Sequence, residues 1–332
     1  MKKYFDFVLT GKTFFPVWII FYVVILIPYF AVIFFMEKSG DQGSPWIALV
    51  VLVMMLASFV FHYYLVKLSV NHLKYDGTLL AFEGKISGYL GKVLLGFLLT
   101  LITLGIYMAW FTRNIMRYFV NNTSLKSSPF SFLGKGGRLF VILLLTMLPI
   151  ILVSVGMGYA MAKAGTSTEG LGSGTLFIQA IIMLVMIPYM YCVYKWMVDV
   201  QYKEYHIKWN TTFWASCGQI LVQMLLTMIT FGIYFPMAYL RLYKYFVDRT
   251  VAEKPDEVRN FGFDLDAMPD FLFVWGQTLL TIVTLGIYYP WALAKIGQRF
   301  LSKTYLMSSA YAMEGNDTPP PLPASDETEK AL

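Results

Sequence analysis

The side chains able to do chemistry are few, and most are badly spaced for it. His62, His72 and His206 stand far apart, without the spacing of metal ligands or of an H-E-x-x-H helix. Cys192 and Cys217 each lie inside an apolar run and form no ligand pair. Asp264-x-Asp266 with Asp270 looks like the start of a calcium loop but lacks its glycine and closing glutamate, so it reads as a solvated acidic turn. No glycine-rich phosphate loop occurs, and no serine or cysteine is paired with a base. The sequence therefore predicts a non-enzyme with no catalytic residue, no cofactor and no metal site.

What remains is a polar set that recurs inside apolar runs. Residues 98–107, 225–234 and 279–288 align without gaps as L-L-T-x-[IV]-T-[LF]-G-I-Y, and gapless recurrence of this kind marks internal duplication. The pairs Thr100 and Thr103, Thr227 and Thr230, and Thr281 and Thr284 share a helix face. Their hydroxyls are placed to bond the carbonyl of the preceding turn or a neighbouring helix. Gly105, Gly232 and Gly286 then break the helix, with Pro236 and Pro290 beyond two of them. Tyr107, Tyr234 and Tyr288, with Trp110 and Trp291, carry rings that favour the lipid–water boundary. A basic amphipathic stretch follows each copy. Its Arg113 and Arg117, Arg241 and Lys244, and Lys295 and Arg299 are candidate contacts for lipid head groups or anions. Gln223 and Gln277 share one repeat position and read as hydrogen-bonding glue between helices.

The elements that hold these residues follow from composition. The 332 residues are 58% hydrophobic and 14% charged, where soluble domains carry about 25% charged residues. That excludes an ordinary soluble enzyme, a disordered chain and a disulfide scaffold. The net charge of +6 comes from single basic residues between apolar runs, which points to an anionic membrane surface rather than nucleic acid. Residues 14–36, 45–66, 139–162 and 174–194 are uncharged and long enough to cross a bilayer. The three signature segments form a second class of apolar run. A weaker F-x-F element recurs at Phe5 and Phe7, Phe130 and Phe132, and Phe261 and Phe263.

The thrice-repeated T-L-G-I-Y motif, its aromatic and basic followers and the flanking F-x-F segments resemble the DUF898 (YjgN-like) family of bacterial multi-pass membrane proteins. Ala109 stands where that pattern has proline in the first copy, and Met237 where it has tryptophan in the second. The resemblance implies an inner-membrane protein and supplies no functional residue.

Charge counting selects a topology. If only the four plain helices cross, the outer loops hold Lys38 and Lys163 alone, and every other Lys and Arg falls on the cytoplasmic side. The predicted fold is therefore all-α and polytopic: four spanning helices plus three glycine-broken re-entrant or interfacial elements, both termini cytoplasmic. Seven crossings with inverted repeats are the alternative. The expected organisation is a first membrane half over residues 1–125, a second over 126–252, a third signature repeat over 253–313, and a disordered proline-rich acidic tail over 314–332. The functional expectation is transport or sensing of a small or amphipathic molecule, with membrane lipids as partners. The alternative is a scaffold or partner subunit of another membrane protein.

Overall fold

The computed structural model describes residues 1–39, 45–164 and 171–308; the proline-rich tail expected over 314–332 lies outside the described residues. Short strands alternate with pairs of helices in five β-αα-β units. The first unit is β1 (Lys3–Phe7), α1 (Gly11–Phe21), which runs through a π-helical turn (Tyr22–Leu26) into α2 (Ile27–Ser39), then α3 (Pro45–Asn71) and β2 (Leu73–Tyr75). The second is β3 (Thr78–Phe82), α4 (Ile86–Ile102), α5 (Met108–Asn121) and β4 (Thr123–Leu125). The third is β5 (Ser128–Phe132), α6 (Gly136–Ala164), α7 (Leu171–Met197) and β6 (Val200–Tyr202). The fourth is β7 (Tyr205–Trp209), α8 (Phe213–Ile229), α9 (Phe235–Asp248) and β8 (Thr250–Lys254). The fifth is β9 (Glu257–Phe263), α10 (Ala267–Val283), α11 (Tyr289–Ser302) and β10 (Thr304–Ser308).

The ten strands form one closed antiparallel barrel, in which β1 pairs with both β2 and β10. This overturns the all-α expectation, in both its four-crossing and seven-crossing forms. The segments read as basic loops are strands whose backbone groups are satisfied by their neighbours around the ring. All helical hairpins rise from one end of the barrel, because each begins after an odd-numbered strand and ends before an even-numbered one. Tight turns close the opposite end. Asp76 and Gly77 (φ 52° and 73°), like Lys126 and Ser127 (φ 50° and 61°), take the left-handed conformations whose twist suits a two-residue hairpin. With three to seven residues each, the strands are shorter than the nine or so that a membrane-crossing strand needs.

One device is repeated around the ring. The second aromatic of each F-x-F position, namely Phe7, Phe82, Phe132, Trp209 and Phe263, is buried, and each sits in a separate hydrophobic cluster beneath a helix junction. The preceding unit braces three of these positions: the Phe82, Phe132 and Phe263 N–H groups donate to the side chains of Asn71, Asn121 and Asp248 at 2.8, 2.9 and 2.9 Å. Neighbouring hairpins also touch all round, with α11 against α1 closing the circle.

Two kinds of hairpin result. Among the described residues, three helical stretches are long and apolar enough to cross a membrane: Gly11–Lys38, Trp46–Asn71 and Gly136–Tyr159. They belong to the first and third units, and little of their surface is covered by protein. The second, fourth and fifth units carry the signature as shorter hairpins, whose 17-residue first helices reach about 25 Å at 1.5 Å per residue.

Candidate functional site

The signature sits at the tips of the short hairpins and explains itself as a turn that needs no water. In the second unit α4 stops at Ile102, Leu104 and Gly105 take φ of 51° and 92°, and the Gly105 N–H returns to the Thr100 carbonyl at 2.8 Å. The Thr103 hydroxyl donates to the Leu99 carbonyl at 2.7 Å and accepts the Tyr107 N–H at 3.0 Å. Thr230 serves Leu226 and Tyr234 in the same way, and Thr284 serves Leu280 and Tyr288. Thr100, Thr227 and Thr281 bond the carbonyls of Gly96, Gln223 and Gln277. Gly232 and Gly286 repeat the positive φ and the return bond. A backbone reversal in hydrocarbon must satisfy its own polar groups, and here every N–H from Thr103 to Met108 finds an acceptor within the hairpin. Leu104 is 94% exposed and Phe231 96%, which is costly in water and free in lipid.

Below each tip the tyrosine ties the hairpin together. The Tyr234 and Tyr288 hydroxyls donate to Gln223 and Gln277 at 3.0 and 2.9 Å. Lys295 donates to the Tyr288 hydroxyl at 2.9 Å, Asn114 at the matching position donates to that of Tyr107 at 3.3 Å, and the Arg241 guanidinium lies 5.8 Å from the centre of the Tyr234 ring. The first copy has no glutamine here: Gly96 faces Phe111, against which a Cβ would clash. The other copies pair Gln223 and Gln277 with the buried Ala238 and Ala292 at the Phe111 position. Volume is exchanged across the hairpin, large for small.

The basic candidates separate by partner. Arg299 and Lys303 enclose the fully buried Asp270 at 2.6 and 2.7 Å, and Lys244 bridges Asp248 at 2.7 Å and the Phe263 carbonyl at 2.9 Å. Arg113 reaches the Gly134 carbonyl of the next unit, and Gln298 the Leu9 carbonyl across the ring closure. Arg117 is exposed and makes no ion pair or hydrogen bond among the described residues. The six cations are thus spread over three hairpins, five of them bound to the protein itself, and do not converge.

Convergence occurs on the barrel axis instead. A cavity of about 260 Å³ lies where the barrel meets the helices. Phe5, Leu73, Ile207 and Phe261 supply strand walls, and Tyr194, Tyr243, Val247 and Leu301 close it from the ends of α7, α9 and α11. Two residues further along the strands, on the same face and beyond the cavity's own lining, stand the polar side chains of Tyr75, Tyr205 and Arg259. Tyr205 donates to Glu257 at 2.7 Å, Arg259 bonds the other oxygen of that carboxylate at 2.7 Å, and Lys254 approaches it at 3.3 Å. The Arg259 guanidinium also lies 4.7 Å from the centre of the Tyr205 ring. Burial, and then the bond to Glu257, push the Tyr205 phenol up, while the same carboxylate holds Arg259 firmly protonated. Of these axial residues, only Phe5 and Phe261 were singled out from sequence, and as members of the F-x-F repeat rather than as a site. The available signal was their period-two spacing beside turn residues.

Barrel-rooted apolar hairpins with self-satisfied tips define a membrane-embedded protein. Residues 77–198 match the family model of DUF898, described as a bacterial protein of unknown function. Residues 206–307 match DUF6693, also a family of unknown function. A curated relative, the inner membrane protein YjgN of Salmonella typhimurium, is 41% identical over 78 residues, which cover 24% of this chain and 20% of the relative. No solved structure matches.

Proposed function

We propose that this chain is a non-catalytic, multi-pass protein of the bacterial inner membrane that takes up a small apolar or amphipathic molecule in the axial cavity, for transport or sensing. The observation that carries the reading is the position of that cavity. It is apolar, bordered by six strands and capped by the ends of α7, α9 and α11, at the end of the barrel from which the helical hairpins rise. Barrel mouths are a recurrent place for such pockets. Engineered apolar cavities of about 150 Å³ already bind benzene, so 260 Å³ admits a larger guest. The barrel faces the cytoplasm in this reading, because Lys38 and Lys163 alone among the described basic residues lie toward the far ends of the long hairpins. Decanol labelled with carbon-14, presented to the protein in zwitterionic lipid nanodiscs with empty nanodiscs subtracted, should bind saturably. Leu301→Trp, which fills the cavity, should abolish that binding while the variant still elutes as wild type. Unaltered binding by a folded Leu301→Trp protein would overturn the reading.

A further inference from the structure

The floor of the barrel, one side-chain step beyond the apolar lining of the axial cavity, is charged, and it specifies the ligand class more narrowly than the apolar walls do. Phe261 lines the cavity, and Arg259 follows it on the same face of β9, one side-chain step of about 7 Å toward the turn end of the barrel. Leu73 and Tyr75 are related in the same way on β2, as are Ile207 and Tyr205 on β7 and Thr250 and Lys254, two steps apart, on β8. Ring contacts place these side chains on one face of the sheet. Phe5 of β1 meets Tyr75 of β2 at 4.8 Å and reaches Phe261 of β9, past the intervening β10, at 6.2 Å.

The floor carries two cations, Lys254 and Arg259, that share the single carboxylate of Glu257. The Tyr75 phenol stands near Arg259, and burial raises it, keeping it a neutral donor, while the Tyr205 proton is already given to Glu257. A low-polarity shaft above an excess of one positive charge and a hydroxyl donor is complementary to one kind of molecule. We infer that the axial site binds a single-chain amphiphile with one anionic head, its chain in the cavity and its carboxylate or phosphate at Arg259. The inference rests on the cavity reading given above and narrows it.

The volume sets the chain length. Scaling from benzene in a cavity of about 150 Å³ gives room for about ten carbon atoms. A charge-assisted bond to a guanidinium then separates an anionic head from a neutral one of the same length. A two-chain lipid does not fit, since its second chain would have to pass between strands that are paired all round the barrel.

The experiment compares decanoate, decyl phosphate, decanol and decyltrimethylammonium for binding to wild-type protein in zwitterionic nanodiscs. Decanoate or decyl phosphate should bind at least tenfold more tightly than decanol, and decyltrimethylammonium more weakly than decanol. The better of the two anions identifies the head group. Arg259→Gln should bring the anion-to-decanol ratio close to one while leaving decanol binding in place, and Arg259→Lys should retain part of the preference. An unchanged ratio in folded Arg259→Gln, or equal binding of anion and cation by wild type, overturns this inference and leaves the cavity reading standing. Absence of saturable decanol binding to wild type overturns both.

Discussion

The long hairpins of the first and third units and the short hairpins of the second, fourth and fifth grow from the same barrel junctions, yet solve the membrane problem differently. A long hairpin carries helical stretches long and apolar enough to cross a membrane, and these need only apolar surface. Thr146 in α6 merely back-bonds to Ile142 and Leu143. A short hairpin reverses within an apolar stretch, and its threonine, glycine and tyrosine are consumed in satisfying backbone groups. Conspicuous polar residues inside an apolar run are therefore weak markers of a substrate path when a reversal lies nearby.

Three measurements test this contrast. Phe111→Ala should cost about 3–5 kcal/mol in denaturant unfolding of the detergent-solubilised protein, because it empties the space that faces Gly96. Adding Gly96→Gln should recover part of the loss by recreating the arrangement of the other two short hairpins; a double variant no better than the single one would contradict the exchange of volume. Next, Thr103→Val, Thr230→Val and Thr284→Val should each cost about 1–3 kcal/mol, since each leaves a tyrosine N–H without its acceptor. Thr146→Val should be tolerated, and equal costs would erase the distinction between the two hairpin classes. The smallest effect concerns the barrel seam. Burial alone would raise the Asp264 carboxyl, but its bonds to Lys2 and Tyr4 outweigh that and hold it below the usual range. A depressed folded value means that this contribution is full above the unfolded value near 3.8 and lost as pH falls through the folded one. Asp264→Asn should therefore flatten the acid limb of the stability profile and leave the neutral plateau slightly lower.

The helical part of the molecule was legible in the sequence because the signal there is long. Apolar runs of twenty or more residues mark the long helices, and three gapless motif copies place a break at Gly105, Gly232 and Gly286, three residues beyond the observed ends at Ile102, Ile229 and Val283. The barrel was not, because each strand is three to seven residues long and sits between helices that dominate any sliding window. Asp76-Gly77 between Leu73-Lys74-Tyr75 and Thr78-Leu79-Leu80 is a strong hairpin signal that a charge-based reading converts into a basic loop. The F-x-F repeat was visible at three positions. Leu80-Ala81-Phe82 and Ile207-Lys208-Trp209 keep only the second aromatic, which is the buried one. The axial site was hidden for a related reason. Its residues come from six strands and three helix ends, and nothing in their linear order brings Phe5 beside Phe261.

The seam between β1 and β10 has a consequence for biogenesis. Lys3 pairs with Leu306, and Tyr4 with Tyr305, so the earliest strand to leave the ribosome waits for the latest one described. Throughout translation the nascent sheet keeps two unpaired margins, and only the final strand removes both together. A ribosome that stalls before Thr304 would release an open arc whose bare edges invite the adhesion of other chains, which makes this species a natural client for membrane quality control.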